Sequence, residues 1–308
     1  VATSMNRRRF LSLTGATLGA ASLPAFALAP PSEPFTFLFF TDAHLQPELN
    51  GVLGTGMAFR HGRTIKADFA INGGDHVFDS NAVSKPRATQ LYDLYGKTEQ
   101  DLGLKMYHVL GNHDVFAVTP SNTVSINDNL YGKNLYEERF GKTYYSFDHK
   151  GCHFIVLDSI VVNADRSYEG MVDAAQLQWL SADLAALPPH MPVIVAIHYP
   201  VVTAFVQYEA AKPSLDSRRG LSLINSNEVI DRFTGYNVIG VLQGHTHVNE
   251  LVVWKGVPYH TCGAVSGNWW HGTRMGTPEG FTVVEVANGK MATRYETYGF
   301  RSIEPQNT

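Results

Sequence analysis

Five runs of polar residues stand where apolar runs stop. FTFLFF leads into Thr41-Asp42-Ala43-His44, DFAIN into Gly73-Gly74-Asp75, and MYHVL into Gly111-Asn112-His113-Asp114. PVIVAI leads into His198, and VIGVL into Gln243-Gly244-His245-Thr246-His247. Imidazole and oxygen donors without a thiolate suit Mn, Fe, Co or Zn better than a soft-metal cluster. Two divalent cations held about 3.5–4 Å apart need a carboxylate between them and neutral ligands at the outer positions. A water shared by two such cations loses its proton near neutral pH and becomes a nucleophile. Gly74, Gly111 and Gly244 are expected to let the backbone turn sharply beside these groups and to admit a substrate.

Positioning such a set is a task for parallel strands, because ligands of α/β sheets bind outside the carboxyl ends of the strands. Apolar periodicity predicts strands at 35–41, 67–72, 106–110, 144–148, 153–157, 193–197, 238–242, 251–254, 259–264 and 281–286. Helical spacing is expected at 57–66, at 86–102 through Leu91, Leu94 and Tyr95, and at 173–187 through Leu177, Leu180 and Leu184. Strands and helices alternate in the first half, and turns such as Lys255-Gly256 and Asn288-Gly289 join strands in the second. The fold class is α/β with layered, mixed sheets.

Of the 308 residues, 44% are hydrophobic and 17% charged, which excludes a disordered chain. Residues 6–29, NRRRFLSLTGATLGAASLPAFALA, have a basic start at Arg7, Arg8 and Arg9, a mild apolar stretch and an Ala25-x-Ala27 cleavage pattern. The segment resembles a twin-arginine (Tat) export signal. Gly15, Gly19 and Pro24 interrupt it, so it reads as a removable address, not a permanent membrane anchor. The expected organisation is a signal at 1–29 and one domain at 30–308, exported through the Tat machinery to the periplasm or beyond. Residues 1–29 carry three arginines and no acid, so removing them turns the net charge of −4 into 21 basic against 28 acidic residues, or −7. That balance argues against a nucleic acid polymer as partner. Cys152 and Cys262 sit in apolar runs and read as two buried free thiols.

Asp42-x-His44, Gly74-Asp75, Gly111-Asn112-His113-Asp114, His198 and Gly244-His245-x-His247 together resemble the calcineurin-like metallophosphoesterases, in that family's order across residues 42–247. The resemblance implies a four-layer α/β/β/α sandwich and two metal ions, of Mn, Fe or Zn type. It places Asp42, His44 and His247 on one metal, Asn112, His198 and His245 on the other, and Asp75 between them. It implies in-line attack on phosphorus by a metal-bridging hydroxide. His113 would face the substrate and assist the leaving group, with Asp114 placed to orient it.

Phe78 stands where purple acid phosphatases carry a ligand tyrosine, and the central motif ends in Asp114, not Glu. The pattern is similar to the bacterial branch with cyclic-nucleotide and glycerophosphodiester phosphodiesterases. A phosphodiesterase acting on a small phosphorylated substrate is therefore expected, with a monoesterase of the same fold as the alternative. A non-catalytic phospholigand-binding protein is the other class of reading, and it should have lost ligands that are all present here. In the loop 263–272, Trp269, Trp270 and His271 are candidate substrate contacts, the indoles as a stacking wall. Arg218 and Arg219 are weaker phosphate candidates. His61, His76, His108, His149, His153, His190 and His260 have no motif support.

Overall fold

Alternation along the first strand sets the layering. The computed structural model describes residues 33–209 and 220–306, so residues 6–29, expected to be an export signal, and Arg218 and Arg219 lie outside the described residues. In β1 (Phe35–Phe40), Phe35, Phe37 and Phe39 point into one core, and Leu38 and Phe40 into another. A strand buried on both faces needs no polar side, which is why FTFLFF reads as a continuous apolar run.

β1 is flanked by β2 (Phe69–Asn72) in parallel and by β12 (Gly280–Ala287) antiparallel. With β3 (Met106–His108) and β13 (Lys290–Thr297) they form a five-stranded sheet ordered β13-β12-β1-β2-β3. The second sheet contains β4 (Tyr145–His149), β5 (Cys152–Leu157), β8 (Pro192–Ile197), β9 (Asn237–Gln243), β10 (Glu250–Trp254) and β11 (Val257–Thr261). Its order is β10-β11-β9-β8-β5-β4, parallel at the centre and antiparallel at both edges. A small hairpin of β6 (Ile160–Val162) and β7 (Tyr168–Gly170) stands apart.

Three cores separate four layers. Helices α1 (Gly51–Arg63) and α2 (Lys85–Glu99) cover the first sheet through Ala58, Phe59, Leu91, Tyr92 and Tyr95 against Leu38, Phe40, Ala70, Phe281 and Val283. Between the sheets lies an aromatic core: Phe37 stacks on Phe69 at 5.1 Å, Phe147 stacks on Phe154 at 4.8 Å, and Phe69 meets Phe154 edge-on. On the far side, α4 (Ala174–Ala185) and α6 (Ser226–Arg232) pack Leu177, Leu180, Leu184, Val229 and Ile230 against β5 and β8. α4 begins where Asp173 accepts from the backbone N–H of Gln176, a side-chain cap that satisfies one otherwise unpaired donor. The expected α/β/β/α sandwich is the observed one. Both cysteines are free and buried in the inter-sheet core, and burial pushes each thiol up to about 12.

Several elements depart from expectation. β13 extends the turn at Asn288-Gly289, but its outward side chains, among them Lys290, Arg294 and Glu296, mask the alternation. The three-residue strands β6 and β7 are too short for a periodic signal, and α3 (Asn134–Phe140) is only seven residues long. α5 (Phe205–Glu209) is a short helix after β8. Among the described residues no helix is long and apolar enough to cross a membrane.

Candidate metal centre

The turns leaving β1, β2, β3, β8 and β9 are tied to one another. Asp42 N–H donates to Gly74 O, His44 N–H to Asp75 O, and Gly244 N–H to His198 O. Asp42, His44, Asp75, His245 and His247 all have left-handed backbone, with φ of 54°, 40°, 54°, 75° and 63°. Non-glycine residues adopt this region rarely, and clusters of them mark sites where the fold enforces a geometry. The glycines serve this crowding. A Cβ on Gly111 would lie 2.1 Å from the Asp75 nitrogen, and one on Gly74 2.5 Å from His198 Nδ1.

Three groups of potential ligand atoms result, each within 4.8 Å: Asp42, His44 and His247; Asp75, His198 and His245; and His44, Asp75 and His113. His44 Nε2 and His247 Nε2 are 3.1 Å apart, with Asp42 Oδ1 3.3 Å from the latter. Asp75 Oδ2 is 3.5 Å from His44 Nε2 and 3.2 Å from His198 Nε2, so it is shared between two groups. Asn112 Oδ1 lies 3.1 Å from His198 Nε2. All seven expected ligands therefore meet on one rim.

Backbone carbonyls fix which ring nitrogen faces inward. His247 Nδ1 donates to Gly267 O at 2.6 Å and His198 Nδ1 to Gly73 O at 2.9 Å, leaving each Nε2 lone pair directed at the centre. His245 is reversed: its Nε2 contacts Gly220 O at 2.8 Å, which turns Nδ1 inward. Asn112 Nδ2 donates to the Tyr168 hydroxyl at 3.2 Å, so its oxygen faces in as well. Acceptors thus oppose acceptors across both halves, an arrangement that only a proton or a cation between them relieves. Oxygen and imidazole donors of this kind fit two divalent cations.

Electrostatics agree. Burial pushes Asp42 up, but His247 and His198 outweigh it and hold the carboxyl below its usual range. Asp75 is likewise held well below its usual value against burial, by His198 and His113. Burial works against a charge on His198, yet Asp75 and Asp42 raise it to about 9. Burial lowers His44 well below its usual value and, with His198, brings His245 to about 4. His198 would give up this proton on taking a cation, because a metal-bound imidazole must be neutral.

His113 stands edge-on to His44 at 4.6 Å between ring centroids, with its backbone N–H on Asp75 Oδ1. The expectation that Asp114 orients it is corrected: the ring is held by Phe78 O, 2.6 Å from Nδ1. Asp114 is fully buried and accepts from the backbone N–H groups of Asp75, His76 and Gly111, and from His76 Nδ1 at 2.8 Å. It binds the Asp75 turn to the Gly111 turn. His76 continues through Nε2 to His108 Nδ1 at 3.1 Å, so two histidines without motif support brace the back of the centre. Residues that sequence reasoning missed are Tyr168, on Asn112, and Tyr199, stacked on His245 at 3.9 Å. Adjacency to His198 was the only available signal for Tyr199.

Of the three loop candidates, Trp269 alone is at the centre, 4.4 Å from the His247 ring and 5.9 Å from His44. Trp270 is corrected to core: it is fully buried, donates from Nε1 to His44 O at 2.9 Å and packs on Phe300. Its indole fills the space left by Gly51 and Gly54. His271 is also corrected, since Nδ1 contacts Glu304 O at 2.9 Å in the C-terminal tail. Trp270→Ala should cost about 3–5 kcal/mol of stability, checked by chemical denaturation.

The family profile described as calcineurin-like phosphoesterase matches residues 35–249, and the chain belongs to that family. No curated protein sequence matches it. A dimetal phosphatase from Danio rerio superposes with a TM-score of 0.60 at 16% identity, covering 87% of this chain and 100% of that one. GAP50, the anchor in the inner membrane complex of Plasmodium, superposes at 0.54 and 15% identity, covering 89% of this chain and 88% of that one. At such identities the likeness concerns the fold. Family and ligand groups together make the protein a metal-dependent phosphoesterase with places for two divalent ions.

Proposed function

We propose that the protein is an exported phosphodiesterase. In this reading Asp42, His44 and His247 hold one cation, Asn112, His198 and His245 the other, and Asp75 is shared. Two such cations supply an activated water and positive charge for the phosphoryl oxygens. The chain's own part is to fix the geometry and manage the proton: Phe78 O holds His113 Nδ1, leaving Nε2 to protonate the departing oxygen.

The observation that favours a diester is the pair of aromatic walls. Trp269 borders the His44–His247 side, and Tyr168 borders the Asn112 side, both partly exposed. A diester carries two organic substituents and a monoester one, so walls on both sides give each substituent apolar surface. The test compares an aryl phosphodiester, its monoester and 3′,5′-cyclic nucleotides on Mn-loaded protein. Diester turnover is expected to lead, and monoester turnover far above it would overturn the reading.

Export rests on residues 6–29. Arg7→Lys together with Arg8→Lys should leave the protein in the cytoplasm, where cell fractionation by immunoblot would find it. Unchanged export would remove the twin-arginine assignment.

A further inference from the structure

Beside Trp269 lies a cation that the reaction just described does not use. The Arg274 guanidinium carbon is 5.5 Å from the Trp269 ring centroid. Its Nε is buried without a hydrogen-bond partner, and among the described residues no carboxylate lies within ion-pair distance of it. Burying part of a guanidinium without a partner is costly, and such a group is satisfied by an anion.

The backbone holds this residue firmly. Arg274 and Thr277 exchange both backbone hydrogen bonds at 2.8 Å across Met275 and Gly276, whose φ values are 45° and 79°. That is a two-residue turn of the tight hairpin type, which fixes the direction in which Arg274 leaves the chain. The indole contacts both the guanidinium, at 5.5 Å, and the His247 imidazole, at 4.4 Å between ring centroids. Trp269 therefore links Arg274 to the metal ligands: its ring borders His247 and stacks on the guanidinium to hold it there. A substrate that reaches both the ligands and this guanidinium carries a second anionic group beside the phosphorus under attack.

We propose that Trp269 and Arg274 form a subsite for a second anionic group, so that the preferred substrate is a phosphoester carrying a further phosphate or carboxylate a few bonds from the scissile phosphorus. The inference rests on the phosphoesterase reading of the centre and names the substrate class of that same site. Arg274 contacts this second group and not the reacting atoms, so it determines specificity.

The test uses 4-nitrophenyl propyl phosphate and the same diester with a phosphate on the far end of the propyl chain. Wild-type, Mn-loaded protein should prefer the tailed diester. Arg274→Ala should reduce that preference about 10- to 100-fold, the scale of one charge-assisted hydrogen bond, with the loss carried by KM. Arg274→Lys should recover part of it, and Trp269→Leu should reduce it by releasing the guanidinium. Calorimetric titration with propane-1,3-diol bisphosphate against propyl phosphate reads the same preference without turnover. Equal losses on both esters, or equal binding of both ligands by wild type, would overturn the subsite. Failure of the metal-loaded wild type to cleave either ester, with the binding preference intact, would overturn the catalytic reading and leave the subsite standing.

Discussion

Asp75→Asn should lower kcat/KM by about 10³-fold or more and reduce the bound metal below two ions per chain. The side chain is shared: one oxygen lies near both His44 and His198, and the other accepts the His113 backbone N–H. Asparagine preserves the shape and can keep one acceptor, but it removes the charge that offsets the repulsion of two cations. Removing one element of preorganised electrostatic stabilisation costs about 10²–10³ in rate, and loss of a cation adds to that. Elemental analysis of purified protein and a Mn titration by thermal shift check the two parts separately. In wild type, added Mn should raise Tm, because a ligand that binds only the folded state stabilises it by mass action; in the variant that rise should shrink. Full occupancy of both positions in Asp75→Asn would remove Asp75 from the centre.

Why the ligands were legible while their supports were not follows from where each contact lies. Asp42, Asp75, His198, His245 and His247 each follow a strand largely buried on both faces, and such strands announce themselves as apolar runs. Asp114 looked like the partner of His113 because the two are adjacent in the chain. A 3-10 turn over Asn112–Asp114 sends neighbouring side chains apart, and Asp114 meets His76 from another strand end. Trp269 and Trp270 illustrate the same point. Two identical side chains in consecutive positions face opposite ways, one toward His247 and one into a gap between glycines of α1. Adjacency in sequence carries no information on such pairings, which depend on contacts across more than thirty residues.

His113→Ala should leave both cations bound and reduce turnover in proportion to how poor the leaving group is. The imidazole is held through Nδ1 by Phe78 O, and its ring lies against His44, close enough to fall within one of the ligand groups. If its task is to protonate the departing oxygen, an alkoxide needs that proton and a nitrophenolate does not. General-acid assistance is worth about 10²–10⁴-fold, so a diester with an alkyl leaving group should lose that much. A nitrophenyl ester should lose far less. The dependence of rate on leaving-group acidity becomes steeper in the variant, which a series of substituted aryl and alkyl diesters measures directly. Loss of a metal ion in His113→Ala, with equal losses on all esters, would instead make His113 a ligand, a role its proximity to Asp75 permits and the set of six outer donors and one shared carboxylate does not require.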